Sequence, residues 1–436
     1  MDKNKLIVIS MDALVREDLE LLRHMPSFSW LLQQGARVER VRSIYPTLTY
    51  PCHVTMATGC YPDKHGVVTN WEFIPGVEQL PWKWYHRSVA CEDILDACKK
   101  AGLTTAAVGW PVTGNHPSVD WLVDEIWPLD NYTMERFTQA YLESGTTQEL
   151  FDAVVAPNLW LRVSRTQPES TYFTTRVSCD IIRKYQPDLL MIHTANMDNY
   201  RHEMGVFSPK TAAGLIECEK VLTELILATK EAGVFEQTNF VVTADHGHLD
   251  TTRIVNPNVL FRRHGLVKTD DAGNITDWQA WAYSNGMSAL ICLKDPEDKK
   301  LYDQVYQLLK DCCDEGMWGF SSVFTREETA AMERLDGPFS FVLETDNYSQ
   351  FGISWQEPYA KNLALGLSGI KKGYHGYHPD KGPWPTFLGC GPAFHSGAVL
   401  EQACIVDGAP TYARILNVEM PWADGRVLTE LLAEER

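Results

Sequence analysis

The sequence predicts a doubly wound α/β fold, a mostly parallel sheet with helices on both faces and a small α+β insertion. Three observations carry this. Short runs rich in apolar and β-branched residues recur along the chain, and they are continuous, as in strands buried on both faces of a parallel sheet. Longer helical patterns separate them. Acidic and His residues follow the ends of the runs, where ligands bind on such sheets.

In chain order, LIVIS at 6–10 is the first strand and Asp12 follows it. In SIYPTLTYPCHVTMATG a strand-like run breaks at Pro46 and a helix-like run begins near Tyr50. Thr49 then falls at or just before a helix N-terminus, where free N–H groups and the helix dipole favour an anion. Alone, the segment reads first as N-capping by Thr47 or Thr49. The Trp-rich stretch at 71–88 is a long loop. TTAAVGW at 104–110 and DLLMIHT at 188–194 are further strands, a helix spans roughly 209–232, and NFVVTADHG at 239–247 is the next strand. From 268 to 370 the pattern changes to an α+β insertion, and the core resumes at PTFLGCGPAF. The expected division is a catalytic core of 1–267 and 371–436 around an inserted subdomain, 268–370.

A chain of 436 residues with 44% apolar content builds a sizeable core. Its net charge of −18 argues against a nucleic-acid polymer as partner, because polyanion binding leans on surplus Lys and Arg. A small anionic substrate remains compatible if cations sit locally in the site. The eleven cysteines include no CxxC pair and read as reduced thiols. The short apolar run after MDKNK is no secretory signal and no run is long enough to span a bilayer, so the expectation is a cytoplasmic protein without membrane contact. Nothing in the pattern indicates an oligomeric state.

Three clusters and one hydroxyl carry candidate chemistry. Asp198 and His202 in MDNYRHEMG share a helix face at a spacing of four and can chelate one metal. Asp245 and His246 in TADHGHLD sit where a chain leaving a strand can turn adjacent side chains toward one site, with His248 as a spare. His375 in KKGYHGYHPD is bracketed by glycines that permit close backbone approach, with His378 nearby. Each is weak alone; together with Asp12 and Thr49 they gather oxygen and nitrogen donors of the kinds zinc takes.

In order, MDA, PTLTYPCH, ATGCYPDKHGVVTN, DNYRH, TADHG, GYHGY and GPAF followed by VDGAPTYARIL resemble the alkaline phosphatase superfamily, and within it the nucleotide pyrophosphatase/phosphodiesterase family. The resemblance implies two zinc ions, with manganese or iron as alternatives. Asp198, His202 and His375 would form the first site; Asp12, Asp245 and His246 the second, with Thr49 as an additional ligand. It implies a hydrolase of phosphoric diesters or nucleotide pyrophosphates that passes through a phosphothreonine on Thr49, and a small phosphate ester as substrate. The alternative is a phosphonate hydrolase or phosphomonoesterase of the same superfamily. Asn70 matches the family's phosphoryl-binding Asn and, with the Tyr50 backbone N–H, would donate to a non-bridging oxygen. The family's PNH is PCH here, with Cys52 in place of Asn.

Overall fold

A strand that is apolar at odd and even positions alike must be covered on both sides, and the first strand is. In the computed structural model, which describes residues 4–77, 80–163, 166–363 and 371–433, β1 (Lys5–Met11) is buried from Leu6 onward. Ile7, Ile9 and Met11 join one apolar cluster, Leu6 and Val8 another. Opposite faces of one strand thus feed two cores, as a side-chain period of two requires.

The remaining strands of this sheet are β2 (Ala36–Arg42), β3 (Thr105–Val108), β4 (Trp121–Val123), β5 (Leu189–Thr194), β6 (Thr238–Thr243), β7 (Phe387–Cys390) and β8 (Val399–Cys404). They lie in the order β8-β2-β7-β6-β1-β5-β3-β4. All neighbours are parallel except β7, which runs antiparallel to both β2 and β6. Helices beside the sheet include α1 (Thr49–Thr58), α2 (Ile94–Lys100), α3 (Glu169–Tyr185), α4 (Asn196–Met204), α5 (Pro209–Glu231) and α6 (Gly408–Leu416). Phe173, Val177 and Ile181 of α3 and Leu215, Leu222 and Leu225 of α5 enter the Ile7 core; Cys52 and Met56 of α1, Ile94 of α2 and Tyr412 of α6 enter the Leu6 core. The doubly wound α/β architecture is therefore present.

Helix α5 shows how local sequence sets an element. Ser208 caps it by accepting from the Thr211 N–H, and Pro209 takes the first turn, where a missing N–H costs nothing. Leu215, Cys218, Leu222, Leu225 and Ile226 then recur at helical spacing and are buried.

A second sheet, antiparallel, has the order Ala280–Ser284, Ser288–Leu293, Phe341–Thr345, Phe320–Thr325, with a helix at Lys299–Glu315 beside it. Its core reaches upstream of 268, because the helix Pro257–Arg263 gives it Val259, Leu260 and Phe261. A seven-residue helix has too few apolar positions to reveal its partner in sequence. Residues 364–370 of the expected insertion lie outside the described residues.

The Trp-rich loop packs over α1. Its Trp71 and Trp82 rings lie 5.4 Å apart, and Trp82 lies 5.3 Å from Tyr50 and 5.0 Å from Trp127.

Candidate active site

Register gathers the site. β1 lies between β5 and β6, pairing Met11 with Thr194 and Ser10 with Thr243, so the three strands end side by side. Asp12, Asp198 and Asp245 lie just beyond those ends. After Asp12 the chain turns through Ala13 at φ 60°. The Ala13 N–H donates to Asp245 Oδ1 at 3.2 Å and the His246 N–H donates to the same oxygen at 3.0 Å. With Oδ1 held by backbone, Oδ2 faces His246 Nε2 at 3.1 Å. His246 Nε2 is 3.6 Å from Asp12 Oδ1 and 3.3 Å from Thr49 Oγ1. One donor atom from each of Asp12, Asp245 and His246 lies within 4.8 Å of the others.

The second group stands on α4 and two loops. Asp198 Oδ1 is 3.1 Å from His202 Nε2, one helical turn on, and 3.4 Å from His375 Nε2. Both rings are oriented through their other nitrogen: His202 Nδ1 donates to Gly373 O at 2.7 Å, His375 Nδ1 to Thr47 O at 3.0 Å. This leaves each Nε2 with a lone pair for a metal. Arg201, fully buried, donates to Ala13 O at 3.1 Å and pairs with Asp18, fixing α4 against the end of β1. His248 joins the group at 3.1 Å from Asp198 Oδ1.

Thr49 is the first residue of α1, and Leu48 is the N-cap. The hydroxyl makes no cap hydrogen bond, so the capping reading does not hold; it turns to His246 instead. His53, one turn on, donates from Nδ1 to Thr49 O at 2.8 Å and accepts at Nε2 from Ser10 Oγ at 2.8 Å, which ties α1 to β1. Burial, then the neighbouring His193, lowers the His53 pKa to about 3 and keeps the ring neutral. Asn70 Oδ1 accepts the Tyr50 N–H at 2.9 Å. The sequence expectation of two free donors is thus altered: the Tyr50 N–H is committed to Asn70, and the Asn70 Nδ2 remains. Cys52 is buried beside Ser43 Oγ at 3.3 Å, and burial raises its thiol pKa.

The charge pattern tests whether these groups suit a cation. Burial, then the charges of Asp245 and Asp198, pushes the Asp12 carboxyl well above its usual range. Asp198 is buried too, yet the His202 and His248 rings hold it well below that range. Burial, then His246 and His248, depresses His375. Asp12 Oδ1, Asp198 Oδ1, Asp245 Oδ2 and both nitrogens of His248 are buried without hydrogen-bond partners. Orphaned carboxylate oxygens of this kind, converging with imidazole nitrogens, are costly unless a cation completes them. The donor set fits divalent metals.

Two residues outside the seven ligands assigned from the sequence support the site. His193 Nε2 lies 3.1 Å from Asp12 Oδ2 and its Nδ1 3.2 Å from Gly109 O; a His inside the apolar run LLMIHT was its only signal. His248 was visible as a spare.

A cavity of about 720 Å³ opens beside Thr49 and both groups, in the size range of small-molecule sites. Tyr50, Trp71, Trp82 and Trp127 form an aromatic part of its wall; Lys371 and Tyr374 lie on the His202 side.

Two other side-chain groups are poorer candidates. His86, Asp93 and His116 converge, but the Ser118 N–H donates to His116 Nδ1 at 3.0 Å, so His116 Nε2 must carry the proton it gives to Asp93 at 2.9 Å. In the group of Glu333, His378 and Asp380, Arg42 already bonds both carboxylates and offsets one of their two charges.

Fold and site together define an alkaline phosphatase-like α/β protein with two adjoining Asp/His cages beside a Thr at a helix N-terminus. The sequence model of the type I phosphodiesterase/nucleotide pyrophosphatase family matches residues 6–341, and the chain belongs to that family, which is metal-dependent. It is 24% identical over 253 residues to ectonucleotide pyrophosphatase/phosphodiesterase family member 5 of Homo sapiens, covering 56% of this chain and 45% of that protein. The chain thus spans under half the length of that relative. It is 24% identical over 424 residues to bis(5'-adenosyl)-triphosphatase enpp4 of Xenopus laevis, covering 95% of this chain and 78% of that protein. Among solved structures, murine ectonucleotide pyrophosphatase/phosphodiesterase 5 superposes with a TM-score of 0.70 at 20% identity, covering 98% of this chain and all of that one. An inactive form of the murine protein in complex with AMP gives a TM-score of 0.69 at 19% identity.

Proposed function

We propose that the chain is a metal-dependent hydrolase of phosphoric diesters or nucleotide pyrophosphates, with Thr49 as nucleophile. The observation that carries this is the Thr49 hydroxyl, unused as a cap, at the positive end of α1 and 3.3 Å from His246 Nε2. Asp198, His202 and His375 would hold one cation, and Asp12, Asp245, His246 and Thr49 the other; zinc suits these donors, with manganese or iron as alternatives. Bound cations would supply Lewis-acid stabilisation of the entering and leaving oxygens and would acidify the hydroxyl.

The Thr49 oxygen attacks phosphorus in line, the bond to the departing ester oxygen breaks, and a phosphothreonine forms. Asn70 Nδ2 donates to a non-bridging oxygen as charge grows there, while the first turn of α1 places its N–H dipoles behind it. Water then attacks from the vacated side and releases Thr49. Tyr50 and Trp82 offer aromatic surface to an organic substituent, and the AMP bound by the murine relative supports a nucleotide substrate. All eleven cysteines are free, which supports a reducing, cytoplasmic compartment.

The test is a substrate panel on purified protein whose metal content has been measured. Matched diester, nucleotide pyrophosphate, monoester and phosphonoacetate substrates are compared before and after Thr49→Ala. Diester or pyrophosphate is expected to lead, with Thr49→Ala lowering kcat by on the order of 10³ or more. Label from a phosphorus-32 substrate is expected on Thr49. Equal rates in the variant, or a diester and pyrophosphate slower than the other two, would overturn the reading.

A further inference from the structure

Asp198 Oδ1 has three imidazole neighbours, not the two that the family resemblance supplies. His202 Nε2 and His248 Nε2 are each 3.1 Å away and His375 Nε2 is 3.4 Å away. Around a four-coordinate zinc with bonds of about 2.0–2.2 Å, neighbouring ligand atoms stand roughly 3.3 Å apart. The His248 separation matches that edge as well as the other two do. It is also the length of a hydrogen bond, so direction must decide. Neither His248 Nε2 nor Asp198 Oδ1 has a hydrogen-bond partner. At 3.1 Å the separation is short enough for a hydrogen bond, but the ring N–H direction misses the carboxylate oxygen.

The surroundings agree. His248 is completely buried, and its ring centroid lies 4.7 Å from that of His202 and 4.9 Å from that of His375, so it packs beside both rings of the group. A buried imidazole with neither nitrogen satisfied is costly unless another group completes it.

We propose that His248 is a fourth protein ligand of the first metal site, making it a three-His, one-Asp cage. The inference rests on the proposal that this site holds a metal. Four protein donors would hold the first cation more tightly and leave it less room for a substrate oxygen.

The probe is cadmium-113 bound to protein carrying nitrogen-15 in its histidines, because scalar coupling between the two nuclei reports a direct bond. Two bound cadmium ions are expected, one coupled to three Nε2 atoms and one to a single Nε2. In His248→Gln, one of the three couplings is lost, and chelator competition shows first-site affinity at least about tenfold weaker. Two bound ions with only two Nε2 couplings at the first would overturn the inference and leave the proposed metal centre intact. Failure of wild-type protein to bind cadmium at these residues would overturn both. The coupling pattern is read on wild-type protein, so a variant that misfolds does not cost the answer.

Discussion

Asn70 holds the Tyr50 N–H through Oδ1, which fixes the side-chain amide so that Nδ2 is the donor left for substrate. Asn70→Ala removes that donor and frees the Tyr50 N–H, while Asn70→Asp keeps the acceptor and replaces the donor by a charge that repels phosphate. Removal of a single such donor typically costs kcat a factor of about 10²–10³. The expected result for Asn70→Ala is a fall of that size in kcat with a much smaller change in KM, and a larger fall for Asn70→Asp. An unchanged kcat in both variants would mean that Asn70 serves only to order the start of α1. Much of this site was legible in the sequence because the motif residues follow strand ends, where chemistry collects on such sheets. Asp12, Asp198 and Asp245 needed only the parallel sheet to be brought together. What was not legible was hydrogen-bond direction: the commitment of the Tyr50 N–H and the approach of His193 to Asp12 depend on packing between segments distant in sequence.

At the scale of elements, the loop bearing His375 depends on Gly376. Its φ is +96°, and a Cβ built there would lie 1.6 Å from Asn285 O, a backbone atom that cannot swing aside. Gly376→Ala is expected to cost about 3 kcal/mol or more in urea unfolding and to weaken first-site metal binding, because the displaced loop carries His375 with it. Normal stability with normal metal binding would show that the loop relaxes freely. The sequence suggested close approach from the flanking glycines but had no means of naming Asn285, which lies in the turn between two strands of the second sheet. Helix α2 carries a separate prediction. Its cap Asp93 accepts from Leu95 N and Asp96 N and from His116 Nε2. Burial opposes the charge on Asp93, and His116 outweighs it and lowers the carboxyl pKa; burial likewise opposes the charge on His116, and Asp93 outweighs it and raises the ring pKa. His86, with its ring centroid 3.7 Å from that of His116, is lowered by burial and then by the His116 charge. The Asp93 contribution is present above its unfolded value of about 3.9 and is lost as pH falls through the lowered folded value. The His116 contribution is full below about 6.5 and is lost as pH rises through the raised folded value. Stability lost on His116→Gln should therefore be largest between about pH 4 and 6.5 and should shrink toward pH 9, measured by urea unfolding across that range. A loss that grows with pH would reverse the assignment.

For the whole molecule, the main asymmetry is between a net charge of −18 and a proposed substrate that is itself an anion. The three site carboxylates add to the repulsion locally, and bound divalent cations would offset it only within the site. Beyond one Debye length, about 8 Å at physiological salt, an approaching phosphate meets mainly the field of the acidic surface. Raising salt screens that field more than it screens the buried cages. The expected outcome is that kcat/KM for a nucleotide pyrophosphate rises as KCl increases from low ionic strength toward about 0.15 M, with a flatter response for a diester of lower charge. The comparison between substrates matters, because a direct effect of salt on metal binding or folding would move both alike. A fall with salt confined to the more highly charged substrate would place a positive path to the cavity, with Lys371 on the His202 side as the first residue to neutralise. The doubly wound core and its charge thus act at different ranges: the strand ends set the chemistry over a few ångströms, and the acidic surface sets how readily an anion reaches it.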